Sequence, residues 1–368
     1  MKRLRADDFR PVSELSQAFF RATNPHVDGP AFAKKWAKAM DSPLRFLRSF
    51  PQAWYIDLLD VPSAHLPDAQ TICFGDPHLE NFGVITFKEG PRFVFNDLDD
   101  AGPGRAGVDA LRYFTSLDLA GFEELVEAMT RLYEDIITDR DSPREFPEVL
   151  QPDVAARDQK ELSKWLRDGE FKYGDKKRDL EQVPKGEAQA LLAVLEREAA
   201  VDHLEVVSLA RRNRVGGGSG GLARYLVQAR DHDSGAVALL EFKEATHAAT
   251  SWARSLHEED HRLTTVQASL WPDLTPRCMR EVMIGRTVYL LRHRLGRGKI
   301  KLDKLDGDEQ RAVIAAQVSI LACRHRAAFG DEVSGLREWL CASVEVMARR
   351  YRRLFADLED LEDRRRDR

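Results

Sequence analysis

Residues 70–100 alternate short apolar segments with polar clusters, and this pattern constrains the fold more than any other feature of the chain. Three segments have the length and apolar content of strands: Gln70 to Phe74, Phe82 to Phe87 and Arg92 to Phe95. Residues 88–91, Lys-Glu-Gly-Pro, are typical of a turn between the last two. Polar clusters at 75–81 and 96–100 follow the strands directly. A functional site is therefore expected where these strands end.

The two polar clusters contain the residue types that phosphoryl transfer requires. Asp76 and Asn81 are five residues apart, and the next hairpin presents Asp97, so three oxygen-bearing side chains converge on one point. Such oxygen ligands suit Mg²⁺ or Mn²⁺. The spacing predicts Asp76 as the catalytic aspartate and Asn81 and Asp97 as metal ligands, with Asp99 as the nearest substitute for Asp97.

The same residues also admit a non-functional interpretation. In that interpretation the clusters are two turns with solvated carboxylates. His78 is a candidate catalytic residue beside Asp76, and the alternative is a structural hydrogen-bonding histidine. Glu80 and Asp100 are expected to be solvated or to lie behind the ligands.

A glycine-rich segment, residues 216–221, forms a second candidate site. Gly216, Gly218 and Gly221 match G-x-G-x-x-G, and the backbone amides around Ser219 could bind an anion. No G-K-[ST] follows, which excludes a Walker A loop. A dinucleotide-binding unit, with Glu241 at a strand end, and a flexible loop beside a surface lysine are the alternatives.

The segment after the glycines has the order of a nucleotide-binding hairpin. A strand, a turn at 231–235 and a second apolar strand lead to Lys243, which is predicted to contact nucleotide phosphates. A downstream helix offers Glu258 or Glu259 as its ion-pair partner.

The remaining chain is predicted to be mainly helical, at 12–60, 106–137, 157–200, 248–270 and from 308 onward, with further strands at 205–209 and 287–294. We divide it into a helical segment with the catalytic and metal-binding clusters at 1–140, a helical linker at 141–200, a glycine-loop and lysine lobe at 201–300, and C-terminal helices at 301–368. Basic clusters at residues 211–214 and 292–297 could contact phosphates, but most of these side chains are expected to be solvated.

Composition favours a cytoplasmic protein without a nucleic-acid or membrane partner. The net charge of -5 gives no general attraction to polyanions, and the four cysteines show no zinc-type spacing. The first residues lack the apolar core of a signal peptide, and no apolar stretch is long enough to cross a bilayer. The oligomeric state stays open.

These segments resemble a bacterial family known as domain of unknown function 2252, which is similar to divergent protein kinases. The resemblance rests on the clusters at 75–83 and 96–100, Asp109 with Arg112, residues 242–245 and a late segment at 325–331. The first cluster is also similar to that of aminoglycoside and choline phosphotransferases. The resemblance implies an α+β, two-lobed kinase-like fold, with a small antiparallel-sheet nucleotide lobe and a mostly helical lobe. It also implies that Asp109 braces the catalytic loop.

The order of the segments departs from that of ordinary kinases. There the glycine loop and lysine precede the catalytic aspartate, whereas Gly216 and Lys243 follow Asp76 here. The implied fold is therefore circularly permuted, which is tolerated where termini lie at exposed sites.

The expected function is ATP- and Mg²⁺-dependent phosphoryl transfer to an unidentified hydroxyl of a small molecule or protein. The alternatives are nucleotidyl transfer, a non-catalytic nucleotide-binding module and a metal-dependent phosphoesterase.

Overall fold

The structure is a computed structural model, and it describes residues 2–174, 179–213, 222–245, 247–253, 262–330 and 333–366. Within these ranges the α-helices are α1 Gln17–Ala22, α2 Gly29–Ala39, α3 Pro43–Ser49, α4 Pro51–Leu58, α5 Ala106–Leu119, α6 Glu123–Ile137, α7 Val154–Trp165, α8 Lys185–Ala200, α9 Arg262–Leu270, α10 Gly307–Phe329 and α11 Leu336–Arg366. The strands are β1 Gln70–Cys73, β2 Phe82–Phe87, β3 Gly90–Phe95, β4 Gly102–Arg105, β5 Leu166–Arg167, β6 Glu170–Phe171, β7 Leu180–Gln182, β8 Leu204–Arg212, β9 Arg224–Asp231, β10 Val237–Glu244, β11 Met279–Ile284, β12 Thr287–His293 and β13 Arg297–Lys299.

A helical body is built around α5, which is buried from Ala106 to Leu117. The helices α6, α10 and α11 pack against α5. The short N-terminal helices add an aromatic cluster of Phe20, Trp36, Phe46 and Phe50, whose ring centroids are 4.9 to 5.9 Å apart. Burial of these large rings provides the main driving force for assembling this part of the chain.

A six-stranded antiparallel sheet has the strand order β11-β12-β10-β9-β8-β7. Successive side chains of a strand point to opposite faces, so residues two apart lie on the same face of this sheet. Tyr225, Leu240 and Phe242 join a buried apolar cluster with Leu191 and Leu195 of α8. On the other face, Leu226 and Leu239 pack against Trp165 in a smaller apolar cluster, and charged residues such as Glu241 and Lys243 occupy the rest, which we call the polar face.

Two small sheets connect the helical body to the six-stranded sheet. β1 pairs with β4, and β13 pairs with β2, which also pairs with β3. Because β13 follows β12 almost directly, it links the six-stranded sheet to the hairpin that precedes Asp97. The loops after β1 and β3 are thereby fixed opposite the polar face.

The mixed α+β class expected from the sequence is confirmed. Two predicted helices are wrong in detail. Residues 106–137 form two helices, which separate at Gly121 in the left-handed region (φ 88°). Residues 157–200 contain the strands β5, β6 and β7 between α7 and α8. No helix within the described ranges is both long enough and apolar enough to cross a bilayer.

Candidate active site

A cavity of about 660 Å³ lies between the polar face of the six-stranded sheet and the loops that follow β1 and β3. One side carries four carboxylates, Asp76, Asp97, Asp99 and Asp100, which we call the acidic wall. The other carries Arg212, Arg224, Lys243, Arg292 and Arg294, which we call the basic wall.

The loop that presents Asp76 is fixed by buried hydrogen bonds. Asp109 of α5 accepts from the backbone N–H groups of Phe74 (2.8 Å) and Gly75 (3.0 Å), and its side chain is fully buried. The Tyr55 hydroxyl donates to the Gly75 carbonyl at 2.8 Å. Asp109 thus braces the loop, as the resemblance implied.

Asp76 is held by a buried arginine of α5. Its Oδ1 accepts two hydrogen bonds from Arg112, at 3.0 and 2.5 Å, whereas Oδ2 lies 3.6 Å from His78 Nε2. Burial raises the pKa of Asp76 to about 6, although Arg112 opposes the shift. One carboxylate oxygen is therefore fixed, and the other is directed away from the arginine.

His78 is buried beside Asp76 and is neutral. Burial, followed by the charge of Arg48, keeps the pKa of His78 well below its usual value. The Glu80 backbone N–H approaches His78 Nδ1 at 3.2 Å, and the Nε–H of Arg48 donates to His78 Nε2 at 3.4 Å. Nε2 also lies on the side of Asp76. Glu80 itself is exposed and pairs with Arg48, as expected for a solvated carboxylate.

Asn81 closes the same loop. Its Nδ2 donates to the Asp76 carbonyl at 3.0 Å, and its backbone pairs with that of Asn96, next to Asp97. The amide nitrogen has a structural task, which makes Oδ1 the atom suited to a cation. The structure thus brings Asp76, Asn81 and Asp97 to one cavity, although they come from two separate clusters of the sequence.

Asp97 fits a cation ligand. Its Oδ1 is buried and has no hydrogen-bond partner within the described residues. Burial and then the neighbouring charge of Asp99 raise the pKa of Asp97. A bound cation would satisfy the orphaned oxygen and relieve the repulsion between the carboxylates, and an all-oxygen set suits Mg²⁺.

Asp99 and Lys243 form an ion pair across the cavity. Burial disfavours the Asp99 carboxylate, but Lys243 and Arg292 outweigh it and hold the pKa of Asp99 below its ordinary value. Lys243 thus reaches the acidic wall from β10. The ion-pair partners predicted for it, Glu258 and Glu259, lie outside the described residues. So do Gly216, Gly218, Ser219 and Gly221 of the predicted glycine loop.

Asp100 lines the cavity, although it was expected to be solvated or to lie behind the ligands. Its Oδ1 accepts from the Ala249 backbone at 3.0 Å and from Gln52 Nε2 at 3.4 Å. Burial, followed by repulsion from Asp76, raises the pKa of Asp100 to about 7. The run of three acids within four residues, Asp97 to Asp100, was the available signal.

Of the basic wall, Lys243 was predicted from the sequence but the arginines were largely missed. Arg212, Arg292 and Arg294 belong to clusters that were expected to be mostly solvated, and Arg224 was not singled out. Glu241 is only 1% exposed and lies at its centre. Four arginines surround that carboxylate: Arg292 (2.8 Å), Arg294 (2.8 Å), Arg224 (3.3 Å) and Arg212 (3.8 Å). With Lys243 the wall has five cationic side chains against one carboxylate. The excess of positive charge favours a polyanionic ligand.

A second group of potential ligands lies in the helical body. Cys73, Asp109 and His325 are fully buried and close together. Their hydrogen bonds explain the arrangement, since His325 donates or accepts at Asp109 (3.2 Å) and Tyr133 (2.6 Å), and Asp109 also holds the loop that presents Asp76. This group has the character of a structural network.

Comparison with known proteins identifies a family without a described activity. No curated protein and no solved structure matches the chain. Residues 30–138 and 175–360, which make up well over half of the chain, match the family described as "Uncharacterized protein conserved in bacteria". All residues of both walls lie within these ranges. The other residues that line the cavity do so too, except for Arg157, Asp158 and Glu161 of α7. The chain therefore belongs to this bacterial family, DUF2252.

Proposed function

We propose that the protein is an ATP- and Mg²⁺-dependent phosphotransferase that acts on a hydroxyl group. The carrying observation is that an acidic wall and a basic wall face each other across one cavity. A nucleoside triphosphate bound to a divalent cation has the complementary arrangement, a cation attached to a chain of anionic phosphates.

The residues divide between the two parts of this ligand. Asp97, Asn81 and Asp99 would hold the cation, and Lys243 with the arginines of the basic wall would bind the phosphates. Bound Mg²⁺ neutralises phosphate charge and orients the nucleotide. The ion pair between Asp99 and Lys243 gives both residues a partner in the free protein and connects the two walls.

Asp76 would receive the acceptor hydroxyl. Arg112 fixes Oδ1, so Oδ2 is the atom that orients the hydroxyl and takes its proton. The His78 ring lies 3.6 Å from Oδ2, and because its lowered pKa favours the neutral form it adds no positive charge beside the carboxylate.

This function favours a circularly permuted kinase-like arrangement in which the six-stranded sheet is the nucleotide lobe. The placement of Lys243 on a strand opposite Asp97 and Asp99 supports it. We place the reaction in the bacterial cytoplasm, where ATP is abundant and the free thiols of the chain stay reduced.

The test is calorimetric titration with ATP, with and without Mg²⁺, together with analysis of ATP products. Four proteins are compared: wild type, Asp97→Ala, Asp76→Asn and the exposed control Asp68→Asn. We expect Asp97→Ala to lose the Mg²⁺-dependent part of the affinity, about tenfold or more, because a buried ligand oxygen is removed. Asp76→Asn should bind ATP like wild type but lose turnover by 100-fold or more, on the order expected for a general base.

The outcomes separate the candidate functions. Release of ADP supports phosphoryl transfer, whereas release of AMP or pyrophosphate indicates nucleotidyl transfer. ATP binding without turnover in wild type leaves a binding module. Absence of ATP binding, with metal-dependent hydrolysis of phosphate esters, contradicts the proposal and favours a phosphoesterase.

A further inference from the structure

The cationic side chains of the cavity differ in how they are neutralised. Every member of the basic wall is in contact with a carboxylate, either Glu241 or Asp99. At the rim, Arg48 pairs with Glu80 at 2.6 Å and Arg157 donates to the Lys299 carbonyl at 2.8 Å. These contacts fix the side chains before any ligand binds.

Arg297 is different. Its side chain lines the cavity and is half-buried, yet that side chain has no hydrogen bond or ion pair with any described residue. Lys38 and Lys299, whose side chains also lack an acceptor among the described residues, are exposed to solvent. Among the described residues of the cavity, Arg297 is thus the one shielded cation without an acceptor.

The position of Arg297 is set by the backbone of β13. It pairs with Ile85 of β2, in the sheet whose hairpin leads to Asp97. The charges that act on it are those of Arg292 and Glu241 on the basic wall and of Asp97 on the acidic wall. Arg297 therefore lies where the two walls meet.

The guanidinium of Arg297 is available to a ligand. Partial burial, followed by repulsion from Arg292, lowers the pKa of Arg297 to about 9. An anion of the ligand would supply the acceptor that the described residues do not provide.

We infer that Arg297 is a catalytic residue that contacts the transferred phosphoryl group at the junction of the two walls. This inference rests on the proposed function and adds a residue to it. The phosphates along the basic wall are held by cations that already have protein partners, whereas Arg297 keeps its donors for the group that moves. A guanidinium is suited to this task because its planar donors match the oxygens of a phosphoryl group.

The step it assists is an in-line displacement. The acceptor hydroxyl oxygen forms a bond to the γ-phosphorus, and the bond from that phosphorus to the β,γ-bridging oxygen breaks. The electron pair of the broken bond stays on the ADP oxygen, and the hydroxyl proton passes to Asp76 Oδ2. Negative charge that develops on the bridging oxygen and on the γ-phosphoryl oxygens is stabilised by Arg297.

The experiment compares wild type, Arg297→Gln, Arg297→Ala and the control Arg92→Gln. Arg92 is an exposed arginine of β3, and Ile85 pairs with both Arg92 and Arg297, so the control removes the same charge from the same row of the sheet. Three quantities are measured: the Kd for Mg-ATP, the kcat for ATP turnover, and the affinity for Mg-ADP with and without aluminium fluoride, which mimics the phosphoryl group in transit.

We expect Arg297→Gln to lower kcat by 100-fold or more and to change the Kd for Mg-ATP by less than about fivefold, since the interaction belongs to the transition state. Wild type should bind Mg-ADP more tightly with aluminium fluoride, and the variant should lose that gain. Arg92→Gln should behave like wild type. Added guanidinium at tens of millimolar, roughly, should partly restore the kcat of Arg297→Ala, which a purely structural role would not allow.

Two results overturn the inference while the proposed function stands: an unchanged kcat in Arg297→Gln, or an equal loss of affinity for Mg-ATP and for the fluoride complex. Destabilised folding without guanidinium rescue would also overturn it. If wild type itself neither binds nor turns over ATP, the proposed function fails, and the role of Arg297 fails with it.

Discussion

Arg112 donates two hydrogen bonds to a single oxygen of Asp76, Oδ1, from Nε at 3.0 Å and from Nη2 at 2.5 Å. Nη2 also donates to the Leu47 carbonyl at 3.0 Å, and the guanidinium lies 5.4 Å from the centroid of the Trp54 ring. A side chain of α5 thus connects the loop that presents Asp76 to α3 and α4. The pair has a structural role as well as an electrostatic one.

Replacement of Arg112 by Met should lower the free energy of unfolding by about 3–5 kcal/mol, because it leaves a buried carboxylate without its counter-charge. The double variant Arg112→Met with Asp76→Asn should recover part of this loss, since the uncompensated charge is then gone. Urea unfolding measures both. The control is Arg131→Met, in an exposed pair with Glu127. A loss of under about 1 kcal/mol in Arg112→Met, typical of an exposed pair, would contradict the arrangement.

The pH dependence of stability should reveal Asp100. Its pKa of about 7 in the folded protein exceeds the ordinary value of roughly 3.9. A raised pKa contributes stability that is fully present below the unfolded value and is lost as the pH rises through the folded value. In the free protein this contribution should therefore decline between about pH 4 and pH 7.

Asp100→Asn stays neutral and can still accept the hydrogen bonds from Ala249 and Gln52. The Tm of the variant minus that of wild type should rise from pH 4 to pH 7, by several degrees, and then level off. Thermal unfolding across this range without metal provides the measurement. The groups that act on Asp100 are Asp76, Asp97, Asp99, Arg262 and Lys35, all of which the variant retains. A difference that does not change with pH would refute the prediction.

Gly75 is required by both its conformation and its surroundings. Its φ is 77°, and a Cβ at this position would lie 1.8 Å from the Asp100 carbonyl oxygen. Gly285 has a similar φ of 63° but open space around it. Gly285→Ala should cost about 1–2 kcal/mol from backbone strain alone. Gly75→Ala should cost several kcal/mol more and abolish ATP turnover, because the loops of Asp76 and Asp100 are forced apart.

Chemical denaturation and the soluble yield of the two alanine variants are the measurements. The loss in Gly285→Ala reports backbone strain alone, and the additional loss in Gly75→Ala reports the steric clash with Asp100. Equal losses in both would show that the two loops do not approach each other as closely as the structure has them.

The acidic wall was largely predictable, because its residues lie in two short clusters that follow recognisable strands. Strands outside such patterns were not. β4 consists of Gly102, Pro103, Gly104 and Arg105 and has no apolar alternation. β13 is three residues long and exists because β2 offers a free edge. Pairing with a distant strand, and not local propensity, determines both elements.

The basic wall could not be predicted for a different reason. Arg292 and Arg294, like Glu241 and Lys243, are two residues apart, which places each pair on one face of a strand. That spacing was visible. The contact between the pairs depends on the register that sets Arg292 opposite Glu241, and the register follows from the whole sheet. These charged side chains form a cavity wall only because the strands that carry them pair in this register.

Glu241 provides the sharpest test of that wall. Burial disfavours its charge, but Arg292, Arg224 and Arg294 outweigh this effect and hold the pKa of Glu241 well below its ordinary value. Glu241→Gln should therefore lower the free energy of unfolding at pH 7 by about 3–5 kcal/mol, because the arginines lose their shared counter-charge. Glu205→Gln, at an exposed position of β8, is the control.

An anion that binds the basic wall should compensate for the lost carboxylate. Inorganic pyrophosphate is expected to raise the Tm of Glu241→Gln by more than it raises the Tm of wild type, and high NaCl should not reproduce the difference. The reason is that pyrophosphate supplies the negative charge that Glu241 provided, and ligand binding to the folded state alone stabilises it. An equal shift in both proteins would mean that the arginines serve only Glu241, and phosphate binding would then have to be assigned to another part of the cavity.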